Sequence, residues 1–207
     1  DGKYFVFSKD AGGNVFGQLF RYDVMDGAVT LLNDGGRSQN GAGRWSNKKD
    51  RMVFSSTRRN GADRDLWLID PAMGRSSEKL VLENKGGGWG ALDWSPDDSK
   101  LLVGESISVN KSNLYLFDIA SGKKQLMTPG DELISYQGGE FSKDGKKIFL
   151  TCDQGSEFQR LCEMDLETGA IKPLVMDLEW DVDSFTLSPD GKQIVFEVNE
   201  AGASSLF

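Results

Sequence analysis

A chain of 207 residues with no histidine lacks the commonest general base of nucleophilic catalysis. Neither a Ser-His-Asp or Cys-His site nor a zinc site with histidine ligands can be assembled from it. It has no Gly-x-Ser-x-Gly elbow and no Gly-x-x-x-x-Gly-Lys phosphate loop, and the run Gly86-Gly87-Gly88-Trp89-Gly90 lacks the strand-to-helix setting of a dinucleotide fingerprint. No catalytic residue, metal or cofactor is therefore assigned. Three groups of side chains could still do chemistry. Arg58, Arg59 and Arg64 crowd one loop, and guanidinium forks grip carboxylates bidentately, so this loop is a candidate contact for an acidic peptide group or a partner domain, against the reading of a solvated loop. Glu179, Asp181 and Asp183, with Asp97-Asp98 and Glu105, offer carboxylates: a glycosidase needs two facing one sugar across about 5 to 9 Å, Asp181 and Asp183 could hold calcium, and turn residues account for most of the rest. Cys152 and Cys162 flank one loop, so they could sit opposite each other in a cross-strand disulfide, or pack as two thiols.

The elements that position these groups are set by a repeat. Ser188-Pro189-Asp190-Gly191-Lys192 lies between two apolar runs, and Pro, Asp and Gly each suit a tight turn for a separate backbone reason. Copies of this turn follow Trp45, Trp94, Phe141 and Leu187, which are 49, 47 and 46 residues apart. Each unit reads as a strand ending in that large apolar residue, a turn, a second strand that is apolar on both faces, a loop, and a third strand ending in Asp. A turn with Gly four residues after that Asp and a fourth strand complete it. Third strands are expected at Gln18 to Tyr22, Asp65 to Ile69, Asn113 to Phe117 and Arg160 to Met164. First strands are glycine-rich, as suits strands crowded near an axis. Four antiparallel strands per 40 to 50 residues predict an all-β fold, a β-propeller of four-stranded antiparallel blades, read as an incomplete arc of about four to five blades. The expected boundaries are a partial blade 1–34, blades 40–84, 89–129 and 135–176, and a partial blade 181–207, in a single propeller segment, with a small closed ring as the other reading.

Composition agrees with this reading and narrows the partners. Twenty-five glycines against five prolines, without sustained 3.6-residue periodicity, predict many short strands and little helix. Thirty-two acidic and 24 basic residues give a net charge of −8, a field that repels nucleic acid and anionic membrane surfaces. No apolar run approaches a membrane span. Asp1-Gly2-Lys3 matches Asp190-Gly191-Lys192, so residue 1 is read as falling inside a repeat, with any targeting segment upstream and the compartment open between periplasm and cytoplasm. Open blade edges would favour self-association.

Trp94-Ser95-Pro96-Asp97-Asp98-Ser99-Lys100, Phe141-Ser142-Lys143-Asp144-Gly145-Lys146 and Leu187-Ser188-Pro189-Asp190-Gly191-Lys192 resemble the WD-like repeats of the N-terminal propeller of prolyl oligopeptidase family serine peptidases. They also resemble, as second choice, those of TolB-type propellers. The segments Ser55 to Leu68, Gly86 to Trp94 and Ser106 to Leu116 favour the first. That resemblance implies a noncatalytic propeller that admits short peptides to an α/β-hydrolase domain and docks it, the catalytic triad lying in that domain. In the dipeptidyl peptidase branch it would also imply paired glutamates for a substrate amino terminus, and this sequence has no Glu-Glu pair to receive that role.

Overall fold

The computed structural model describes residues 2–41 and 43–207. Its contacts divide the chain into two compact units, residues 1–91 and 92–207. In the first, β1 (Tyr4–Lys9), β2 (Gln18–Asp23) and β3 (Val29–Leu31) form one antiparallel sheet in that order, and β4 (Arg44–Trp45), β5 (Met52–Ser56), β6 (Asp65–Ile69) and β7 (Lys79–Leu82) form the next. The division between the units falls within β8 (Trp89–Trp94), which leads β9 (Lys100–Ser108), β10 (Lys111–Asp118) and β11 (Lys124–Leu126). Then come β12 (Tyr136–Phe141), β13 (Lys147–Cys152), β14 (Arg160–Asp165) and β15 (Ile171–Pro173), and finally β16 (Val182–Leu187), β17 (Ile194–Glu200) and β18 (Ala203–Leu206). All five sheets are meanders of three or four strands in chain order, the blade pattern of a β-propeller. Among the described residues the one helical segment is a 3-10 turn, Gly74–Ser77.

The repeated turns work as their residues dictate. Ser95, Ser142 and Ser188 each donate a hydroxyl hydrogen bond of 2.6–2.7 Å to the Asp two positions on. The position after that Asp takes positive φ, as Gly145 and Gly191 do without strain, whereas Asp98, and Lys49 at the same place in the turn after Trp45, adopt it (φ 60°) as non-glycine residues. At the same end of the sheets, the N–H of Gly27, Gly74, Gly122 and Gly169 each bonds the carbonyl of the Asp four residues back at 2.8–2.9 Å. Both spacings read from the sequence thus correspond to hydrogen-bonded turns.

Burial follows position in the sheet. All five residues of β5 are buried, as expected for a second strand covered on both faces. β1 departs from that expectation: it is a sheet edge, and Phe5 is half exposed, stacking on Tyr22 of β2 instead. In the first unit Leu19, Leu32, Met52, Phe54 and Ile69 form one core. In the second, Leu102, Leu114, Phe141, Ile148, Leu150 and Met164 form the larger one, between consecutive sheets. The glycine richness of first strands has a local cause at β12. Gly138 and Gly139 make a bulge at positive φ, and a Cβ on Gly139 would come within 2.5 Å of Leu102 in the sheet before it.

The second unit also shows how successive sheets are tied. Asp93, next to the last residue of β8, accepts the Phe141 N–H at 2.8 Å, and Glu140, at the same place in β12, accepts the Leu187 N–H at 3.1 Å. Each carboxylate thereby caps the first strand of the following sheet.

Candidate functional site

Second strands end, and third strands begin, at one end of each sheet, and the three arginines lie there in the sheet β4–β7. The loop is built by Asn60, whose side-chain Oδ1 accepts the Ala62 and Asp63 N–H groups. The structure gives the arginines three different surroundings. Arg58 forms a fork on Glu78, with Nη1 and Nη2 2.7 and 2.8 Å from the two carboxylate oxygens. Its guanidinium lies 4.3 Å over the Trp67 ring, and the side chains of Arg58 and Glu78 are 11% and 9% exposed. Arg59 grips Asp65, at 2.7 and 3.0 Å, and donates to the Asn84 carbonyl. The hydrogen bond to Asp65 raises the Arg59 pKa, and the Gly86 N–H holds the Asp63 carboxyl below its ordinary range. Asp65 itself is fully buried and also accepts the Asn84 N–H, so the loop and the segment after β7 are clamped together.

Among the described residues Arg64 has neutral side-chain partners alone: Gln39 Oε1 at 3.1 Å and Ser55 Oγ at 3.4 Å. Its backbone N–H bonds the Gly86 carbonyl. Gly41 lies against this group without a side chain; a Cβ there would run into Ser55 Oγ. Of the three arginines, Arg64 is the one placed to donate to a carboxylate or a peptide carbonyl, because its guanidinium is half-buried and not ion-paired among the described residues.

The cysteines and carboxylates are engaged in their own sheets. Cys152 and Cys162 are buried free thiols with sulfurs 3.3 Å apart. They are not opposite each other. The register pairs Cys152 with Arg160 and Cys162 with Leu150, a diagonal relation. The contact between them favours a thiolate on Cys152 and pushes the Cys162 thiol up, while burial raises Tyr136 beside them to about 12. Glu105 accepts the Tyr115 hydroxyl at 2.7 Å and an Asn113 amide hydrogen. Asp97 is a turn residue, and Asp181 accepts the Gln159 N–H at 2.8 Å. Among the described residues no group of three or more His, Cys, Asp or Glu is arranged for a metal ion.

Sequence reasoning missed Glu78, which lies 20 residues from Arg58 and outside any motif, and the paired roles of Asp93 and Glu140. The latter had a signal: both carboxylates immediately precede the apolar residue that marks the repeat.

Both the sequence and the fold are similar to those of known proteins. The chain is 27% identical over 124 residues to dipeptidyl-peptidase 5 of Porphyromonas gingivalis, an alignment covering 52% of this chain and 18% of the peptidase. Among solved structures it is similar to TolB from Acinetobacter baumannii, with TM-score 0.76 and 20% identity, covering 98% of this chain and 48% of TolB. It is also similar to a puromycin hydrolase, with TM-score 0.72 and 14% identity, covering 97% of this chain and 34% of the hydrolase. These structural likenesses show the β-propeller fold, and the chain spans less than half the length of each of the three proteins. The family model of the dipeptidyl peptidase IV N-terminal region matches residues 14–204. The chain therefore belongs to the family of dipeptidyl peptidase IV N-terminal propeller domains.

Proposed function

We propose that this chain is the noncatalytic propeller of a prolyl oligopeptidase-like serine peptidase, admitting short peptides to an α/β-hydrolase domain and docking that domain. The observation that carries this reading is the family match over residues 14–204. The histidine-free composition supports it, because a triad base must then come from elsewhere in the protein. Arg64 is the side chain proposed to touch substrate or partner. Arg58 and Arg59, first grouped with it, hold carboxylates of their own sheet. The test is cleavage of a peptide length series by the full-length protein that carries this segment. The reading expects serine-inhibitor-sensitive cleavage of short peptides, resistance of long or folded substrates, and a raised KM with little change in kcat for Arg64→Ala. Equal turnover of short and folded substrates would contradict gating.

A TolB-type interaction propeller without enzymatic activity is the second reading, favoured by the TM-score of 0.76 to TolB. It expects a full-length protein that has no inhibitor-sensitive peptidase activity and copurifies with a stable protein partner.

A further inference from the structure

The head of each third strand is one column of the repeat, held in turn by Gln18, Asp65, Asn113 and Arg160. Three of the four side chains tie their own sheet. Gln18 Nε2 donates to the Gly36 and Ser38 carbonyls, and its Oε1 accepts the Gly35 N–H. Asp65 clamps Arg59 and Asn84, and Asn113 donates to Glu105. Arg160 does none of this. Among the described residues its Nε is buried without a hydrogen-bond partner, and Nη1 meets only the Met176 sulfur, at 3.9 Å.

Arg160 instead lines an open cavity of about 590 Å³, shared with Trp180, Asp177, Glu179 and Glu200. Trp180 is 41% exposed. Among the described residues neither Arg160 nor any of these three carboxylate side chains has an ion-pair partner, so opposite charges line one cavity without neutralising each other. The lining carries a net charge of −2, from one guanidinium and three carboxylates. An anionic ligand would be repelled, and a simple cation would leave the guanidinium donors unanswered, where an unmade buried hydrogen bond costs about 1–3 kcal/mol. The complementary ligand carries a hydrogen-bond acceptor and a cation a few ångströms apart.

We propose that this cavity binds a peptide segment bearing a lysine or arginine side chain, with the guanidinium of Arg160 donating to a backbone carbonyl, the basic side chain reaching Glu179 and Glu200, and Trp180 covering its stem. An indole face attracts such a cation by about 0.5–1 kcal/mol at an exposed site, and the acidic chain as a whole attracts it from a distance. The inference does not depend on the peptidase reading, since it rests on residues of this chain alone.

Binding of end-blocked tripeptides to the intact chain tests it, followed by the indole N–H resonance of Trp180 and by calorimetry. The probes are N-acetylated, amidated Ala-Arg-Ala, Ala-Glu-Ala and Ala-Ala-Ala, together with unblocked Ala-Ala-Ala. The Arg peptide is expected to bind in the millimolar range or tighter and to shift the Trp180 resonance, more weakly as salt rises. Arg160→Gln should weaken it about tenfold, and Glu179→Gln, at an exposed position, about two- to fivefold, with unchanged melting temperatures. Equal binding of the Glu peptide, binding of the unblocked Ala peptide in preference to the Arg peptide, or no shift with any probe would overturn the proposal.

Discussion

Asp65 and Arg160 occupy the same place in two blades, and their side chains do opposite things. In the sheet β4–β7, Asp65 is fully buried and collects Arg59 and the Asn84 backbone, so the loop of arginines is part of the scaffold. In the sheet β12–β15, Arg160 faces a cavity with its donors largely unanswered. The repeat determines where the polar side chain emerges. Whether it holds the blade or meets a ligand depends on whether the neighbouring loops supply a partner, as Arg59 and Asn84 do for Asp65.

The sharpest way to break this contrast is to remove Asp65. Asp65→Ala leaves Arg59 without its fork and the Asn84 N–H without its acceptor, and should destabilise the chain by about 3–5 kcal/mol in equilibrium urea unfolding. A loss below 1 kcal/mol, the range of exposed pairs, would remove the distinction between the two blades. Next in size is a carboxylate engaged between sheets. Glu140→Ala deprives the Leu187 N–H of its acceptor and should cost about 1–2 kcal/mol, with hydrogen exchange at Leu187 accelerating more than at the turn around Gly169, which among the described residues makes no hydrogen bond to Glu140. Uniform acceleration would show that the bond is not local in its effect.

A smaller effect comes from the turns. Ser95 pulls the Asp97 carboxyl down to about 2, and Ser142 and Ser188 lower Asp144 and Asp190 in the same way. A depressed folded-state pKa stabilises fully above the unfolded value near 3.9 and is lost as pH falls through the folded value. Unfolding midpoints should therefore drop between about pH 4 and pH 2, and Asp97→Asn should lower the midpoint at pH 5 while flattening that drop. A midpoint that rises on acidification would contradict the sign.

These contrasts also mark what the sequence could and could not disclose. The turns were legible because their chemistry is local: Ser, Asp and Gly act within a few residues, and Asp65–Ile69 forms the strand expected of it. β10 begins at Lys111, earlier than the expected Asn113, because Val109 and Asn110 close its hairpin with β9 without any glycine signal. Partner choice was less legible still. Nothing near Arg58 in the sequence points to Glu78, and Cys152 and Cys162 lie diagonal rather than opposite because register depends on the whole hairpin. Arg160 stood in plain view in the third-strand column. Its difference from Gln18, Asp65 and Asn113 acquires meaning only once the partners of those three are known.

Side-by-side urea unfolding of Arg160→Gln and Asp65→Ala, with binding of the blocked Arg peptide measured on the same Arg160→Gln sample, tests this division of roles most directly. The account predicts a midpoint for Arg160→Gln within about 0.5 kcal/mol of the parent chain, with peptide binding weakened. A destabilisation approaching that of Asp65→Ala, or unchanged peptide binding, would contradict it.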